Sequence, residues 1–127
     1  GMGRIGTLDP PAERRQLLER IKRELGLSHL LVAGPVEGSI TRAAACAGSC
    51  GDLLDDALRQ KAQLYLTGEM RHHDAIKAAQ AGMTIVCTLH SNSERASLKR
   101  LAARLAEILP DLQTLLSQVD RDPFAVL

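Results

Sequence analysis

The sequence predicts one α/β domain, in which helices pack on a mixed or largely parallel sheet. Short apolar runs of strand length alternate along the chain with amphipathic stretches of roughly 10–18 residues. The chain has 127 residues, 45% of them hydrophobic, which suits a single core. Because no repeat or flexible linker divides it, we predict one domain over residues 1–127.

The first half of the chain is predicted to hold three strands and two helices. Arg4 to Leu8 can form a strand, after which Asp9 would cap a helix with Pro10 and Pro11 in its first turn, where a missing N–H is harmless. Gly26 would end that helix. Short runs bounded by turn residues predict two further strands at 30–33 and 40–47, and a second helix with its apolar positions at 53–58.

The second half repeats the alternation of strand and helix. Strands are predicted at 64–66 and 84–88, with a helix between them that stops at Gly82. His90 to Ser93 opens the longest helix, which carries an apolar stripe and ends before Pro110. Leu115 to Val119 is predicted to add an edge strand.

Composition argues against two classes of function. Sixteen Lys and Arg residues against 15 Asp and Glu leave a formal net charge of +1, and only two residues are aromatic, so nucleic acid is an unlikely partner. The basic residues of the last helix are better explained as a solvated face. No apolar run reaches the length of a membrane span, so we predict no membrane partner and a cytoplasmic location.

The three cysteines, Cys46, Cys50 and Cys87, are expected to be free thiols, because they cannot all pair and nothing else indicates an oxidising compartment. An alternative joins them with His90 in a thiolate metal site. We disfavour it, since strand cysteines are usually small buried hydrophobic residues.

Three strand ends carry the candidate chemistry, because sites in such sheets lie beyond the carboxyl ends of strands. The Gly48 to Asp52 turn could hold an anion or could be a tight turn. The segment Thr67 to Asp74 concentrates titratable groups at a helix start. The third end is the sharpest: His90 closes a strand and Glu94 lies one helical turn on, so that one imidazole nitrogen and one carboxylate would converge on a divalent cation. Because a helix N-terminus repels cations, further carboxylates would be needed there.

Five short motifs follow one another along almost the whole chain: Gly3-Arg4-Ile5-Gly6, Ala47-Gly48-Ser49, Leu66-Thr67-Gly68-Glu69, His72-His73-Asp74 and His90-Ser91-Asn92-Ser93-Glu94. In this order and spacing they resemble the C-terminal half of the Nif-three-like family of dinuclear-metal-centre proteins. The resemblance implies a homo-oligomeric ring and a divalent metal cofactor, zinc, iron or manganese, held in a cleft between two similar halves.

The resemblance also assigns roles to single residues. His90 and Glu94 match the two metal ligands of the C-terminal half, while Glu69 and His73 match polar residues lining the cleft. It implies a cyclohydrolase-like, metal-dependent hydrolase in which the metal activates water and Glu69 or His73 transfers the proton. A nucleotide or another phosphate-bearing molecule would be its substrate.

The sequence departs from the family pattern in ways that make the site incomplete. The ligands of the N-terminal half have no counterpart here, so a missing half or a partner chain would have to complete the centre. Cys50 and Leu89 replace usual glycines, and Gln63 replaces a usual Asp, which would remove negative charge near the cleft. The rival interpretation is a non-catalytic oligomerisation or binding module whose metal site has decayed.

Overall fold

A computed structural model describes residues 2–125 and contains four α-helices and five strands in that range. The strands are β1 (Arg4–Glu13), β2 (Leu31–Ala33), β3 (Ser39–Ser49), β4 (Leu64–Glu69) and β5 (Thr84–Cys87). The helices are α1 (Arg14–Glu24), α2 (Leu54–Arg59), α3 (His72–Gln80) and α4 (His90–Ile108), with a short 3-10 turn, Gly51–Leu53, before α2.

The strands form one mixed sheet in the order β1-β3-β4-β5-β2, which confirms the predicted fold class. The three central strands are parallel to one another, while the two edge strands run antiparallel to their neighbours. The carboxyl ends of β3, β4 and β5 therefore meet at one edge of the sheet.

Helices cover both faces of the sheet because side chains of the central strands alternate between two buried clusters. Tyr65 and Ile85 belong to a cluster shared with α2 and α3. Leu64 and Val86 belong to the opposite cluster, which includes Leu18 of α1. α4 packs against β3 and β4. No helix within residues 2–125 is long and apolar enough to cross a membrane.

The prediction that Asp9 caps the first helix is wrong. β1 continues through Pro10 and Pro11, and α1 begins only at Arg14. The reason is that β1 is an edge strand whose pairing with β3 is irregular over residues 7–12. Prolines are tolerated in such an irregularity because no ladder N–H is needed from them. Gly26 does follow the helix with a positive φ of 66°, as its predicted role as a stop requires.

The predicted edge strand over residues 115–119 does not form. The chain after α4 instead runs back along that helix without regular structure. Two polar contacts hold it there: Arg95 donates two hydrogen bonds to Asp120, and Ser91 donates one to Asp122. These contacts draw the tail toward the start of α4 rather than to a sheet edge.

The expectation of three free thiols is also wrong. Cys46 and Cys50 form a disulfide, and their Cα atoms are 6.1 Å apart. β3 is irregular here, and Gly48 adopts a positive φ of 76° that turns the chain back on itself. Cys87 stays free and buried, and burial raises the pKa of its thiol to about 11. The alternative thiolate metal site is therefore not assembled.

Candidate functional site

His90 lies where the carboxyl ends of the parallel strands meet, between two carboxylates. Its Nδ1 is 3.1 Å from Oε2 of Glu69, at the end of β4, and its Nε2 is 3.5 Å from Oε1 of Glu94, one turn along α4. About half of each of the three side chains is exposed, at 49%, 46% and 54%. The sheet topology thus brings Glu69 to an imidazole 21 residues away in sequence.

The negative charges around His90 stabilise its protonated form. The hydrogen bond to Glu69 raises the pKa of His90, and the charges of Glu94, Glu69 and Asp122 act in the same direction. In turn, the pKa of Asp122 is lowered chiefly by the hydrogen bond from Ser91. The surroundings of the imidazole are therefore electronegative, as a cation site at a helix N-terminus requires.

Gly48 forms the floor beneath the pair of His90 and Glu94. A Cβ added to Gly48 would lie 3.2 Å from Oε1 of Glu94 and 3.5 Å from Nε2 of His90. The Gly48 N–H donates to Oγ of Ser93 over 2.7 Å, and Thr67 donates to the Gly48 carbonyl over 3.1 Å. The glycine therefore permits close approach of the backbone to both candidate ligands and is itself held from two sides.

Leu89 turns the chain from β5 into α4 with φ 69° and ψ 156°. This region of conformational space is essentially reserved for glycine, and a residue with a Cβ held there is strained. The family resemblance predicts glycine at this position, and the observed backbone explains why. The chain keeps the bend that orients His90, although leucine at position 89 does not favour this backbone conformation.

His73 lies near the first turn of α3 and contacts Asp74, with 3.6 Å between His73 Nε2 and Asp74 Oδ1. Its side chain is 74% exposed. Asp74 also accepts a hydrogen bond from Arg71, which pairs with Asp52 on its other side. The described ion pairs of His73 therefore do not include Glu69, His90 or Glu94, and its proton-transfer role stays a prediction.

The Gly48 to Asp52 turn has the features of a tight turn rather than of an anion site. The Cys50 carbonyl accepts a hydrogen bond from the Tyr65 hydroxyl, and only a 3-10 turn follows. Asp52 lies in that 3-10 turn, and Asp55 and Asp56 lie in the first turn of α2, so the helix start is already acidic. An incoming anion would be repelled by these carboxylates.

Gln63 does not alter the charge of the cleft, contrary to the expectation. It precedes β4, at the opposite end of the strand from Glu69, roughly 20 Å away along an extended chain. Its side-chain oxygen accepts hydrogen bonds from the backbone of Thr41 and Arg42. The residue joins two parallel strands and takes no part in the candidate site.

Two residues of the site were missed by the prediction from sequence. Asp122 reaches His90 electrostatically from the tail, and no pattern in the sequence signals that the tail folds back. Ser93 is predicted from sequence only to lie in the segment that opens the longest helix, whereas in the structure its hydroxyl joins the start of α4 to Gly48 and donates to the His90 carbonyl. That serine lies within the His-to-Glu motif, so its position was available from the sequence.

The geometry of His90 and Glu94 fits two ligands of one divalent cation. With metal–ligand distances near 2.0–2.2 Å, adjacent nitrogen and oxygen ligands lie about 3.0–3.5 Å apart. The observed separation is 3.5 Å. No set of three or more His, Cys, Asp or Glu side chains converges in this way among residues 2–125. Among these residues, the arrangement therefore comprises two candidate ligands.

Comparison with known proteins follows the same motifs. The family model for Duf34/NIF3 (NGG1p interacting factor 3) matches residues 1–123. The chain belongs to this family. NIF3-like protein 1 of Rattus norvegicus is 42% identical over 132 residues, which covers 100% of this chain and 34% of the rat protein.

Two further relatives define the extent of the similarity. A GTP cyclohydrolase 1 type 2 homolog of Clostridium perfringens is 30% identical over 98% of this chain and 48% of its own length. The crystal structure of a Bacillus cereus protein related to NIF3 superposes with a TM-score of 0.81 at 25% identity, covering 100% of this chain and 36% of the other. The chain therefore spans about a third to a half of the relatives that it matches.

Proposed function

We propose that this chain supplies half of a divalent-metal centre in a metal-dependent hydrolase of the NIF3 family. The observation that carries the proposal is the placement of His90 Nε2 and Glu94 Oε1 3.5 Å apart on an electronegative edge of the sheet. Imidazole and carboxylate together suit zinc, iron or manganese. The name of the Clostridium relative, a cyclohydrolase homolog, supports hydrolysis as the reaction class.

Glu69 would orient the imidazole for this task. With Nδ1 of His90 as donor to Glu69, Nε2 is left with its lone pair facing Glu94. Pairing of one ring nitrogen with a carboxylate is the usual way in which metal-binding histidines are held in one tautomer. Glu69 is therefore a positioning residue in this proposal, and it remains a candidate for proton transfer because half of its side chain is exposed.

A cation bound by His90 and Glu94 would supply Lewis-acid chemistry, acting on water and on a polar oxygen of the substrate. Around that position, the residues of this chain would hold the cation, orient the imidazole and accept protons. Further ligands must come from outside residues 2–125, either from another part of a longer protein or from a partner subunit. A homo-oligomer would provide such a partner subunit. The substrate is proposed to be a nucleotide or another phosphate-bearing molecule.

Metal binding tests this function directly. Chain purified without chelator is loaded with Zn²⁺ or Mn²⁺, and binding is measured by titration calorimetry for the wild type and for His90→Ala, Glu94→Gln and the control His72→Ala. We expect each ligand variant to bind at least about tenfold more weakly, since it loses one of two donors. His72 is exposed on α3 and makes no contact with the centre among the described residues, so its variant should bind like the wild type.

Hydrolysis is tested separately, by chromatography of GTP after incubation with the Mn²⁺-loaded protein and with His90→Ala. Products formed by the wild type and absent with the variant would support the assignment. A wild-type chain that folds with an unchanged melting temperature in Zn²⁺ and Mn²⁺ and binds neither would refute it. That result would favour the non-catalytic module, because a ligand that binds only the folded state must raise its melting temperature.

A further inference from the structure

A groove of about 520 Å³ runs along α4 beside the candidate metal centre. Ser93, which contacts Gly48 beneath His90 and Glu94, is the lining residue that adjoins the centre. Ala96, Ser97 and Arg100 follow at spacings of three and four residues, so they share one face of the helix. Its volume falls within the usual range of small-molecule sites, roughly 300–1,000 Å³.

The floor of this groove is made of small and apolar residues. Ala45 and Ala47 of β3 and Leu66 of β4 point into it, and Leu25 closes one side at the end of α1. Alanine side chains leave the space open, while the apolar surface favours a ligand with an apolar body. The groove thus lies beside the centre but differs from it in chemistry.

The charge of the groove is positive. Two guanidinium groups, those of Arg4 and Arg100, line it, and no Asp or Glu appears among its described lining residues. Arg100 makes no ion pair or hydrogen bond with any residue in the range 2–125, so it can bind an added anion without breaking a contact. An arginine of this kind suits a carboxylate or phosphate, which it can hold through two parallel hydrogen bonds.

The helix sets the length of the ligand. Ser93 and Arg100 are seven residues apart, which corresponds to about 10 Å along the axis of α4. We infer that the groove binds a small molecule of about this length, with an apolar body and a terminal oxyanion held by Arg100. The inference deepens the proposed function, on which it rests, because the opposite end of this molecule would lie at Ser93, which adjoins Gly48 beneath His90 and Glu94.

The tail of the chain leaves this groove open. It is bound to α4 through Ser91 and Arg95. Around the helix, Ser91 lies about 160° from Ser93, and Arg95 lies about 140° from Arg100. The groove and the tail therefore use different faces of the helix. A ligand can enter the groove without displacing the contacts of Asp120 and Asp122.

The test uses 1-naphthyl phosphate as the probe, with binding measured by its fluorescence in EDTA so that no metal contributes. We expect 1-naphthol, which lacks the anion, and inorganic phosphate, which lacks the apolar body, to bind at least about tenfold more weakly. Arg100→Ala should weaken binding of 1-naphthyl phosphate about tenfold, as the loss of a charge-assisted contact predicts. Arg20→Ala, which removes an exposed arginine of α1 outside the groove, should change it less than twofold.

A second pair of variants tests the volume of the groove. Ala96→Leu should fill it and abolish binding, whereas Ala106→Leu, at an exposed position of α4 outside it, should have no effect. Both replace one strong helix former by another, so the fold should be retained. Equal losses with Arg100→Ala and Arg20→Ala, or full binding by Ala96→Leu, would overturn the inference, as would absence of binding to the wild type.

The two proposals can fail independently. Zn²⁺ binding by Arg100→Ala should equal that of the wild type, because Arg100 does not touch His90 or Glu94. If the wild type binds 1-naphthyl phosphate but no Zn²⁺, the metal assignment fails and the groove stands. If it binds Zn²⁺ but not the probe, the groove assignment fails and the metal centre stands.

Discussion

Gly68 couples the stability of the sheet to the geometry of the candidate site. A Cβ at this position would lie 2.7 Å from the Gly48 carbonyl oxygen, 2.7 Å from Oγ of Ser93 and 3.0 Å from Cα of His90. Contacts this short cannot be absorbed by side-chain rotation alone, because two of them are to backbone. Gly68→Ala must therefore push apart the end of β3 and the start of α4.

The cost of that displacement can be estimated from its parts. Forcing one extra carbon into a packed position costs about 1–3 kcal/mol. Displacing Gly48 also weakens the hydrogen bond that Thr67 donates to its carbonyl, at about 0.5–1.5 kcal/mol. We therefore expect Gly68→Ala to lower the free energy of unfolding by about 2–4 kcal/mol. For a domain of this size, this corresponds to a fall in melting temperature of roughly 7–15 °C.

Urea denaturation and thermal melting measure this cost, and Gly6→Ala is the matched control. Gly6 also lies in a strand, but a Cβ added there meets nothing within 4 Å. The control should be neutral or gain up to about 1 kcal/mol, since alanine restricts the unfolded chain. If the two variants differ by less than about 0.5 kcal/mol, the close packing of β3, β4 and α4 around Gly68 is incorrect.

Three further predictions concern the same region. In urea denaturation, Leu89→Gly should be more stable than Leu89→Ala by about 1 kcal/mol or more, because alanine keeps the strained Cβ and glycine does not. If Leu89→Ala were the more stable variant, the backbone at position 89 would not be strained. Reducing the Cys46–Cys50 disulfide should lower stability by about 2 kcal/mol from loop entropy alone, and a melting curve unchanged by a dithiol would argue against the bond. Glu69→Gln should lower the pKa of His90 in an NMR titration without metal. Folding raises the pKa of His90, so the pair of His90 and Glu69 stabilises the folded state at pH values below the histidine pKa of the unfolded chain. This stabilisation is lost as the pH rises through the pKa of His90 in the folded state. The Glu69→Gln variant should lack this pH dependence of stability.

The pattern of strands and helices was accessible from the sequence because hydrophobic periodicity is a local property. The buried runs that became β4 and β5 and the amphipathic stretch that became α1 follow this rule. The beginning of α1 could not be predicted in this way, because two prolines typical of a first helical turn are also accepted by an irregular edge strand. Whether this segment is helix or strand depends on its pairing with β3, and that contact is not local in sequence.

The disulfide and the tail were inaccessible for the same reason. Two cysteines four residues apart in a strand cannot meet unless the strand is broken, and the turn at Gly48 breaks it. Asp122 comes near His90 only because the chain reverses after α4 and is held by Arg95. The spacing of residues in the sequence predicts neither the turn at Gly48 nor the reversal of the chain after α4.

By itself the sequence determined the mixed α/β class, the family, and the two groups one helical turn apart that could share a cation, since helix geometry makes positions 90 and 94 neighbours. Only the tertiary structure decided which third residue orients the imidazole, which glycine lies beneath it, and that a positively charged groove leads away from it. Those features join residues from β3, β4 and α4, and the distances between separate elements depend on how they pack together.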